Sequence, residues 1–461
     1  MSTLTSFIYR YFGLEKKQSN IKTEVIAGLT TFVAMAYVIF VNPAIISQAG
    51  IPMEAAVAAT IWTACLCSIA MGLFANVPIA VAPGMGINAF FTFYACNTLG
   101  LSWQTALGSV FISGIIFMIL TITKLRQHII DAVPLSLKSA IVAGIGFFIA
   151  FVGLQQANIV VQSQATAVTL GHLTDVKVLL AIIGIFIIGA LMALRFAGAI
   201  LVGILIITIA GMCLGVAPVP KAVSDVVSFT LPSIKDTFLQ MDIIGALDYG
   251  LFSVIFTFTI VELFDNLGTL IGVSKAAGLM DEKGKIEGID RALMTDSAGT
   301  MLSAAFGTCT VTSYVESMVG TQVGGRTGLT TVVVGLCFLL AFIFSPLAAL
   351  IPGYATAPAL IVIGAMMLKT IKNIDFSDHT EVIPVFLTII MMPLTYSIAN
   401  GFGFGFVSYC ILKVLSKRAK EVKPIMWVIS LCFVISFILH SKSHHQNLYL
   451  PSLTARWTLS L

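Results

Sequence analysis

Long apolar runs recur along this chain and are separated by short polar loops. Runs of 16 to 28 residues occur between Glu24 and His440, and about 20 apolar residues in a helix are enough to cross the hydrocarbon core of a bilayer. The alternating apolar and polar pattern of membrane barrels is absent from the sequence. The pattern predicts an all-α polytopic membrane protein with about fourteen segments, at 24–48, 54–75, 79–99, 104–123, 133–152, 177–194, 197–218, 246–273, 297–306, 308–322, 327–351, 355–371, 382–396 and 398–415.

The third predicted segment, 79–99, contains residues that interrupt a helix. Pro83 and Gly84 favour extended backbone, so a new helix is expected to begin near Asn88. Phe90 follows within one turn and could stack against a flat ligand, although packing against the core or the lipid is the alternative. Interrupted segments of transporters commonly form the binding site near the middle of the membrane.

The tenth predicted segment, 308–322, is interrupted in a similar way. Thr308, Thr310 and Thr312 alternate as they would in a short strand. A helix is expected to begin near Ser313 and to carry Glu316 in its first turn. The two interrupted segments therefore predict a site built from both halves of the chain, with Thr312 and Glu316 on one side and Asn88 and Phe90 on the other.

An internal repeat supports this division into halves. Pro134 to Gly146 (PLSLKSAIVAGIG) aligns with Pro352 to Gly364 (PGYATAPALIVIG), at an offset of 218 residues or seven segments. An odd number of segments per unit inverts the second copy in the membrane, as in many secondary transporters. Chance similarity between two helices rich in glycine and alanine is the alternative.

The domain boundaries follow from the segments and the repeat. We expect a cytoplasmic tail, two repeats joined by an external loop, and a final stretch of uncertain status, in which 425–440 is apolar but short. The predicted bounds are 1–23, 24–218, 219–245, 246–415 and 416–461.

Composition and charge agree with a membrane protein. The chain is 58% hydrophobic and 10% charged, whereas soluble domains contain about 25% charged residues. With the N-terminus inside, twenty Lys and Arg residues up to position 423 lie on the inner face and three, Lys177, Lys221 and Lys235, on the outer face. Positive charge concentrates on the cytoplasmic side, which predicts a cytoplasmic N-terminus in the cell inner membrane. The excess of Lys and Arg on the cytoplasmic side then accounts for the net charge of +4, and no nucleic-acid partner is expected.

Three carboxylates lie deep in predicted segments, where an ionisable group costs about 2.5–3.5 kcal/mol. Glu262, Asp265 and Thr269 have the spacing of one helix face, and Glu316 lies in the tenth segment. Neighbouring carboxylates at low dielectric constant do not both ionise cheaply, and no Lys or Arg lies nearby in the same segments. We therefore expect Glu262, Asp265 and Glu316 to carry the coupling proton, with a purely structural role as the alternative for any one of them.

Carboxylates, an amide and aromatic rings together suit a neutral, flat ligand that is rich in N–H groups. An ionised carboxylate accepts hydrogen bonds from ring N–H and amine donors, so a purine fits. No His, Asp or Cys residues show the spacing of a metal site or of a nucleophile with its base. We therefore expect no enzyme activity, no metal and no cofactor.

Several sequence blocks, in order along the chain, resemble the nucleobase/cation symporter group and, within it, the purine permeases of the AzgA type. The resemblance extends from about Thr23 to Lys413. The blocks are TEVIAGLTTFVAMAYVIFVNP, APGMGINAFF, FDNLGTLIGV, TSYVES, GGRTGLT and PGYATAPALI.

The resemblance implies two inverted sets of seven segments, with a core domain of segments 1–4 and 8–11 and a gate domain of segments 5–7 and 12–14. It also implies proton-coupled uptake of adenine, guanine or hypoxanthine, which would bind between segments 3, 8 and 10. The positions that match the substrate contacts are Asn88, Glu262 or Asp265, and Glu316. Relatives carry either an acidic or an amide side chain at the position of Glu262, so its role is less secure than that of Asp265.

Other functions were weighed on the same residues. An inorganic-anion transporter of the same inverted-repeat fold would need cationic groups or bare helix N-termini rather than three carboxylates. A channel suits two different half-membrane segments less well than a carrier that closes around one solute. The preferred purine and a homodimeric state stay open.

Overall fold

The structure is a computed structural model, and it describes residues 3–231, 233–248, 251–280 and 287–449. These residues form α-helices joined by short loops, with four short strands. The helices of the first half are α1 (Thr3–Phe12), α2 (Ile21–Met35), α3 (Val38–Ile46), α4 (Met53–Ala70), α5 (Met85–Ala89), α6 (Trp103–Ile122), α7 (Leu125–Ala132), α8 (Leu135–Gln156), α9 (Val176–Ala193) and α10 (Ala199–Cys213). The first three strands are β1 (Val81–Pro83), β2 (Val160–Ser163) and β3 (Ala167–Leu170).

The second half repeats this plan. Its helices are α11 (Ile243–Asp248), α12 (Leu251–Ala276), α13 (Ile289–Phe306), α14 (Ser317–Val323), α15 (Gly328–Leu340), α16 (Leu347–Leu350), α17 (Gly353–Met367), α18 (His379–Leu394), α19 (Ile398–Leu415) and α20 (Pro424–Tyr449). Strand β4 is Val311–Ser313. Wide π-helical turns extend α4 to Ala75 and α5 from Phe90 to Thr98.

The predicted fold class is confirmed: the chain is an all-α polytopic membrane protein with fourteen segments in two inverted sets of seven. Segment 1 is α2 with α3, segment 2 is α4, segment 3 is β1 with α5, segment 4 is α6, and segments 5 to 7 are α8, α9 and α10. Segments 8 and 9 are α12 and α13, segment 10 is β4 with α14, segment 11 is α15 with α16, and segments 12 to 14 are α17, α18 and α19. The described helices include seven that are long and apolar enough to cross a membrane unaided.

The segments pack into two groups. In the core group, α15 packs on α2 and α4, and α13 packs on α4 and α6. In the gate group, α17 packs on α8 and α9, and α18 packs on α8 and α19. These groups are the core and gate domains that the resemblance implied. The finer residue boundaries predicted for the repeats, the loop and the tails stay predictions.

The glycines that end the two aligned repeat sequences lie against each other. Pro134 and Pro352 occupy the N-cap positions of α8 and α17. At the crossing of these helices, a Cβ atom on Gly146 would meet the carbonyl oxygen of Gly364, and a Cβ atom on Gly364 would meet that of Gly146. Equivalent residues of the two repeats thus contact each other, as a pseudo-two-fold axis between α8 and α17 requires.

Three helix starts differ from the predicted positions. The helix of segment 9 begins at Ile289 rather than at 297, because charged residues in its first turns hide its start from a reading of apolar runs. The helix of segment 3 begins at Met85 rather than near Asn88. The helix of segment 10 begins at Ser317 rather than near Ser313, because Ser313 is the last residue of β4 and a short turn follows it.

Segment 1 is interrupted, which the sequence did not predict. Helix α2 ends at Met35 and α3 begins at Val38. Tyr37, at the interruption, is fully buried. Its side chain reaches the tenth segment, where its hydroxyl group donates to Glu316.

The stretch at 425–440, whose status the sequence left open, is helical. Helix α20 packs on α19, where Phe433 lies against Phe402 and Phe406. The Cys410 sulfur atom and the Ser430 hydroxyl oxygen are 3.1 Å apart across the same contact. Of the predicted tail, 441–461, residues 441–449 continue α20, and residues 450–461 lie outside the described residues.

Candidate functional site

The site is organised by the pairing of β1 with β4, one strand from each repeat. The strands are antiparallel, with Ala82 opposite Thr312. The Gly84 N–H group donates to the Thr310 carbonyl oxygen at 3.0 Å, and glycine is required here because a Cβ atom would lie 2.7 Å from Thr312 Cγ2. Helix α5 begins directly after this contact, so the strand pair fixes its N-terminus.

Glu316 lies at the N-cap position of α14, in the turn that follows β4. Its side chain is half-buried. The Tyr37 hydroxyl group donates to Glu316 Oε1 at 2.6 Å, which is a short hydrogen bond of the kind formed to an ionised carboxylate. Segment 1 therefore holds the Glu316 carboxylate in place from one side.

Asn88 lies in the first turn of α5 and is fully buried. Its amide nitrogen donates to Asn42 Oδ1, and Asn42 in turn donates to Thr60 at 2.8 Å and to Thr308 at 3.1 Å. Among the residues that the structure describes, none bonds to Asn88 Oδ1. The network fixes the orientation of the Asn88 amide, and the contact of Asn88 with a ligand stays a prediction.

Glu262 and Asn266 lie one turn apart on α12, and both face α13. The Thr300 hydroxyl group donates to Glu262 Oε1 at 2.5 Å. Asn266 donates to an Asp296 carboxylate oxygen and accepts a hydrogen bond from the Ser313 N–H group at 2.8 Å. A chain of hydrogen bonds thus joins segments 8, 9 and 10 in the interior.

Asp265 lies on the same side of α12 but, unlike Glu262, remains half-buried. The charges of Asp265 and Glu262 act on each other, and both act on that of Asp296; the roles predicted for Asp265 and Glu262 stay predictions. Thr269, which the spacing also placed on this face, donates to the Asp265 carbonyl oxygen at 3.3 Å and so bonds along its own helix.

Thr312 and Phe90 are both buried at the strand crossing. Thr312 packs against Gly84. The Phe90 ring lies 5.1 Å from the ring of Tyr94 and 5.1 Å, edge-on, from that of Phe258. In this conformation the Phe90 ring faces protein, and its stacking against a ligand stays a prediction.

The structure adds Asp296, Asn266 and Arg126 to the residues found by sequence reasoning. Asp296 was missed because the ninth segment was predicted to start one residue after it. Asn266 follows Asp265 directly and was overlooked because it carries no charge. No Lys or Arg was found in the same segments as the carboxylates, but Arg126, counted as a loop residue, is buried, and its charge acts on Asp296 and Glu262.

Taken together, the carboxylates form two pairs with different access. Asp265 and Glu316 are half-buried, whereas Glu262 and Asp296 are fully buried. A half-buried carboxylate can accept hydrogen bonds from a solute that enters, while a fully buried one can exchange little except a proton. The arrangement therefore suits the binding of a polar solute beside a separate proton store.

The Permease family profile matches residues 22–404. The chain belongs to this family. Membership identifies this permease as a membrane transporter, and the enzyme alternative is set aside on that ground.

Curated relatives match this permease over nearly its whole length. It is 46% identical to a putative permease of Methanocaldococcus jannaschii, over 94% of this chain and 99% of the relative. It is 43% identical to the adenine permease AdeP of Escherichia coli, over 93% and 95%. It is 42% identical to the guanine/hypoxanthine permease PbuG of Bacillus subtilis, over 93% and 99%.

Among solved structures, the permease is similar to the transmembrane domain of the cyanobacterial bicarbonate transporter BicA. The TM-score is 0.64 at 16% identity, and the match covers 83% of this chain and 97% of that domain. At this identity the likeness establishes a common fold and nothing about the solute.

Proposed function

We propose that this permease imports purine nucleobases (adenine, guanine or hypoxanthine) together with protons, by alternating access. The observation that carries the proposal is the placement of two half-buried carboxylates, Asp265 and Glu316, beside the crossing of the interrupted segments. Purines present ring N–H groups and amines to such acceptors. The relatives named as adenine and guanine/hypoxanthine permeases match 93% of the chain, which supports the same class of solute.

Each residue has a role in this proposal. Glu316, oriented by Tyr37, accepts hydrogen bonds from the base, and Asp265 contributes a second acceptor from α12. Asn88 supplies its unpaired amide oxygen from the opposite repeat, and Thr312 and Phe90 close the site around the base. Glu262, together with the newly found Asp296, stores the proton.

Proton coupling supplies the driving force. Moving one elementary charge through a membrane potential of about 100 mV yields about 2.3 kcal/mol. A neutral base that enters with a proton is therefore accumulated. In this scheme the core domain moves against the gate domain and carries both solutes to the inner face.

The topology is part of the proposal. The excess of Lys and Arg on one face supports a cytoplasmic N-terminus in the inner membrane. Reporter fusions after residue 423 and within 219–231 test this placement. The first is expected to be active only as a cytoplasmic reporter and the second only as an external one, and the reverse result would contradict it.

The anion-carrier alternative receives little support from the site. Arg126 is a buried cation, but the charges of two carboxylates act on it. The resulting cluster does not present a net positive charge to an anion. The likeness to a bicarbonate transporter shows the fold alone.

Uptake of radiolabelled bases tests the proposed function. Cells without their own nucleobase permeases would express the wild type, Glu316→Gln, or the control Glu15→Gln, whose side chain is exposed far from the site. We expect uptake of at least one purine, sensitive to a protonophore, in the wild type and the control, and its loss in Glu316→Gln. No uptake of any purine, uptake indifferent to the protonophore, or full activity of Glu316→Gln would contradict the proposal, and uracil in the same assay tests its restriction to purines.

A further inference from the structure

Arg126 occupies an unusual position for a charged residue of a loop. It lies on α7, the short helix that joins α6 of the core domain to α8 of the gate domain. The chain turns sharply into α7 at Lys124, which has a φ of 59°. Although Lys124 and Leu125 are exposed, Arg126 is only 2% exposed. Its guanidinium carbon lies 4.0 Å from the centre of the Phe117 ring, a distance at which a cation is attracted to an aromatic face.

The Arg126 guanidinium group is buried and forms no hydrogen bond to Glu262 or Asp296, the two buried carboxylates whose charges act on it. Its charge interacts with those of Asp296 and Glu262. In the part of the chain that the structure describes, its three nitrogen atoms, Glu262 Oε2 and Asp296 Oδ1 all lack hydrogen-bond partners. Three buried ionisable groups therefore act on one another without direct hydrogen bonds between Arg126 and the carboxylates.

A fixed structural ion pair would not have this form. Buried ion pairs offset the loss of hydration only when direct hydrogen bonds satisfy their polar atoms. The incomplete pairing fits a charge that approaches and retreats. Arg126 lies on the connection between the two domains. A shift of one domain against the other displaces α7 and therefore moves Arg126 towards or away from the carboxylates.

We propose that Arg126 is a movable counter-ion for the Glu262 and Asp296 pair, and that it favours release of the transported proton when α7 brings it close. The inference rests on the proposed proton coupling. With Arg126 near, the carboxylates are stabilised as anions and the bound proton passes to water on the α7 side of the membrane. With Arg126 withdrawn, one carboxylate binds a proton again.

Arg126 touches neither the base nor the transferred proton, so it is a positioning residue. Asp265 is the other carboxylate of α12 whose charge acts on both members of the pair. Because Asp265 is half-buried, the base can reach it. Replacing Arg126 should therefore affect proton coupling more than binding of the base. Net transport and exchange should respond differently to its replacement.

Proteoliposomes containing the purified protein provide the test. Net uptake of labelled purine, driven by an imposed proton gradient, is compared with exchange of labelled for unlabelled purine without a gradient. Exchange does not require the proton to leave at each turnover. The variants are Arg126→Gln, Arg126→Lys and the control Lys124→Gln, which removes an exposed charge from the same loop.

We expect Arg126→Gln to lose at least about tenfold in net uptake while exchange stays within about threefold of the wild type. Arg126→Lys should recover part of the net uptake, and Lys124→Gln should match the wild type. Unchanged net uptake in Arg126→Gln, or equal losses of net uptake and exchange in a folded protein, would overturn the inference.

Failure of the proposed function is recognised separately. If the wild-type protein itself shows no gradient-driven uptake, proton coupling is refuted, whatever the variants do. If Arg126→Gln does not fold, Arg126→Lys carries the test, because it keeps the buried charge and leaves Glu262 and Asp296 intact. Net uptake that falls while exchange stays within about threefold of the wild type supports the inference, whereas wild-type net uptake, or equal losses of net uptake and exchange, overturns it.

Discussion

Replacing Gly84 by alanine tests the geometry on which the whole site depends. A Cβ atom there would lie 2.7 Å from Thr312 Cγ2 and 2.9 Å from Thr312 Oγ1. Carbon atoms in contact pack at about 3.5–4.0 Å, so the two strands would have to separate by about 1 Å. Rotation about χ1 of Thr312 gives no relief, because it brings one branch of this β-branched side chain into the place of the other.

The expected magnitude follows from the rigidity of the surroundings. Thr312 is held opposite Ala82 in the strand pair, so the displacement passes to the backbone. Inserting a methyl group into a packed core typically costs about 1–3 kcal/mol. The same shift moves Asn88 relative to Glu316, and a misplacement of about 1 Å can reduce the rate of a process that depends on geometry by about a hundredfold. We expect purine uptake to fall at least tenfold, within that range.

Gly189→Ala is the matched control. Gly189 lies in α9, and no other atom would come within 4 Å of its added Cβ atom. Alanine is preferred to glycine within a helix by about 0.5–1 kcal/mol, so this variant should be as stable as the wild type or slightly more so. Both variants are compared by thermal unfolding in detergent and by uptake at equal expression. Wild-type uptake and unfolding in Gly84→Ala would show that β1 and β4 are not in close contact and would refute the reasoning.

Three further predictions concern other contacts. Tyr37→Phe removes a hydrogen bond to Glu316 worth about 1.5–3 kcal/mol, so the KM for purine uptake should rise about ten- to hundredfold; an unchanged KM would contradict the role of this contact. Gly364→Val places a side chain against the facing glycine of α8 and should destabilise the protein by about 1–3 kcal/mol, which thermal unfolding would show and an unaltered midpoint would exclude. Hydrogen bonds from Arg418 lower the pKa of Glu421 from 4.5 to about 2, so this pair stabilises the fold fully above pH 4.5 and loses the effect towards about pH 2. Thermal midpoints of the wild type and Glu421→Gln should therefore converge as the pH falls through this range, and a constant difference would contradict the assignment.

The fold could be predicted because local sequence patterns determine its main features. The thickness of the membrane sets the length of the apolar runs. Residues that disfavour a helix cause the breaks in segments 3 and 10. The repeat of Pro134 to Gly146 at Pro352 to Gly364 also has a physical cause, since the glycines allow α8 and α17 to approach closely. The interruption at Tyr37 has no such signal, because residues 36 and 37 interrupt no apolar run and tertiary contacts decide where the helix breaks.

The site was only partly predictable, for a related reason. Glu262, Asp265 and Glu316 stand out as charges within apolar runs. Asp296 does not, because it lies near charged residues at the start of its helix. The sequence indicated that Arg126 is exposed, because an arginine between two segments normally lies in water at the cytoplasmic face. Its burial depends on how α7 packs against distant segments, and no local pattern records that.

The hydrogen bonds around Asn266 connect the two parts of the site. The Ser313 N–H group at the end of β4 donates to Asn266, and Asn266 donates to Asp296. Glu316 follows Ser313 by a single short turn. If a ligand on Glu316 shifted that turn, the shift would reach Asp296 through Asn266, although the ligand does not touch Asp296. Energetic coupling between separate sites requires a contiguous element that both can bias, and the strand end with its bound asparagine has that form.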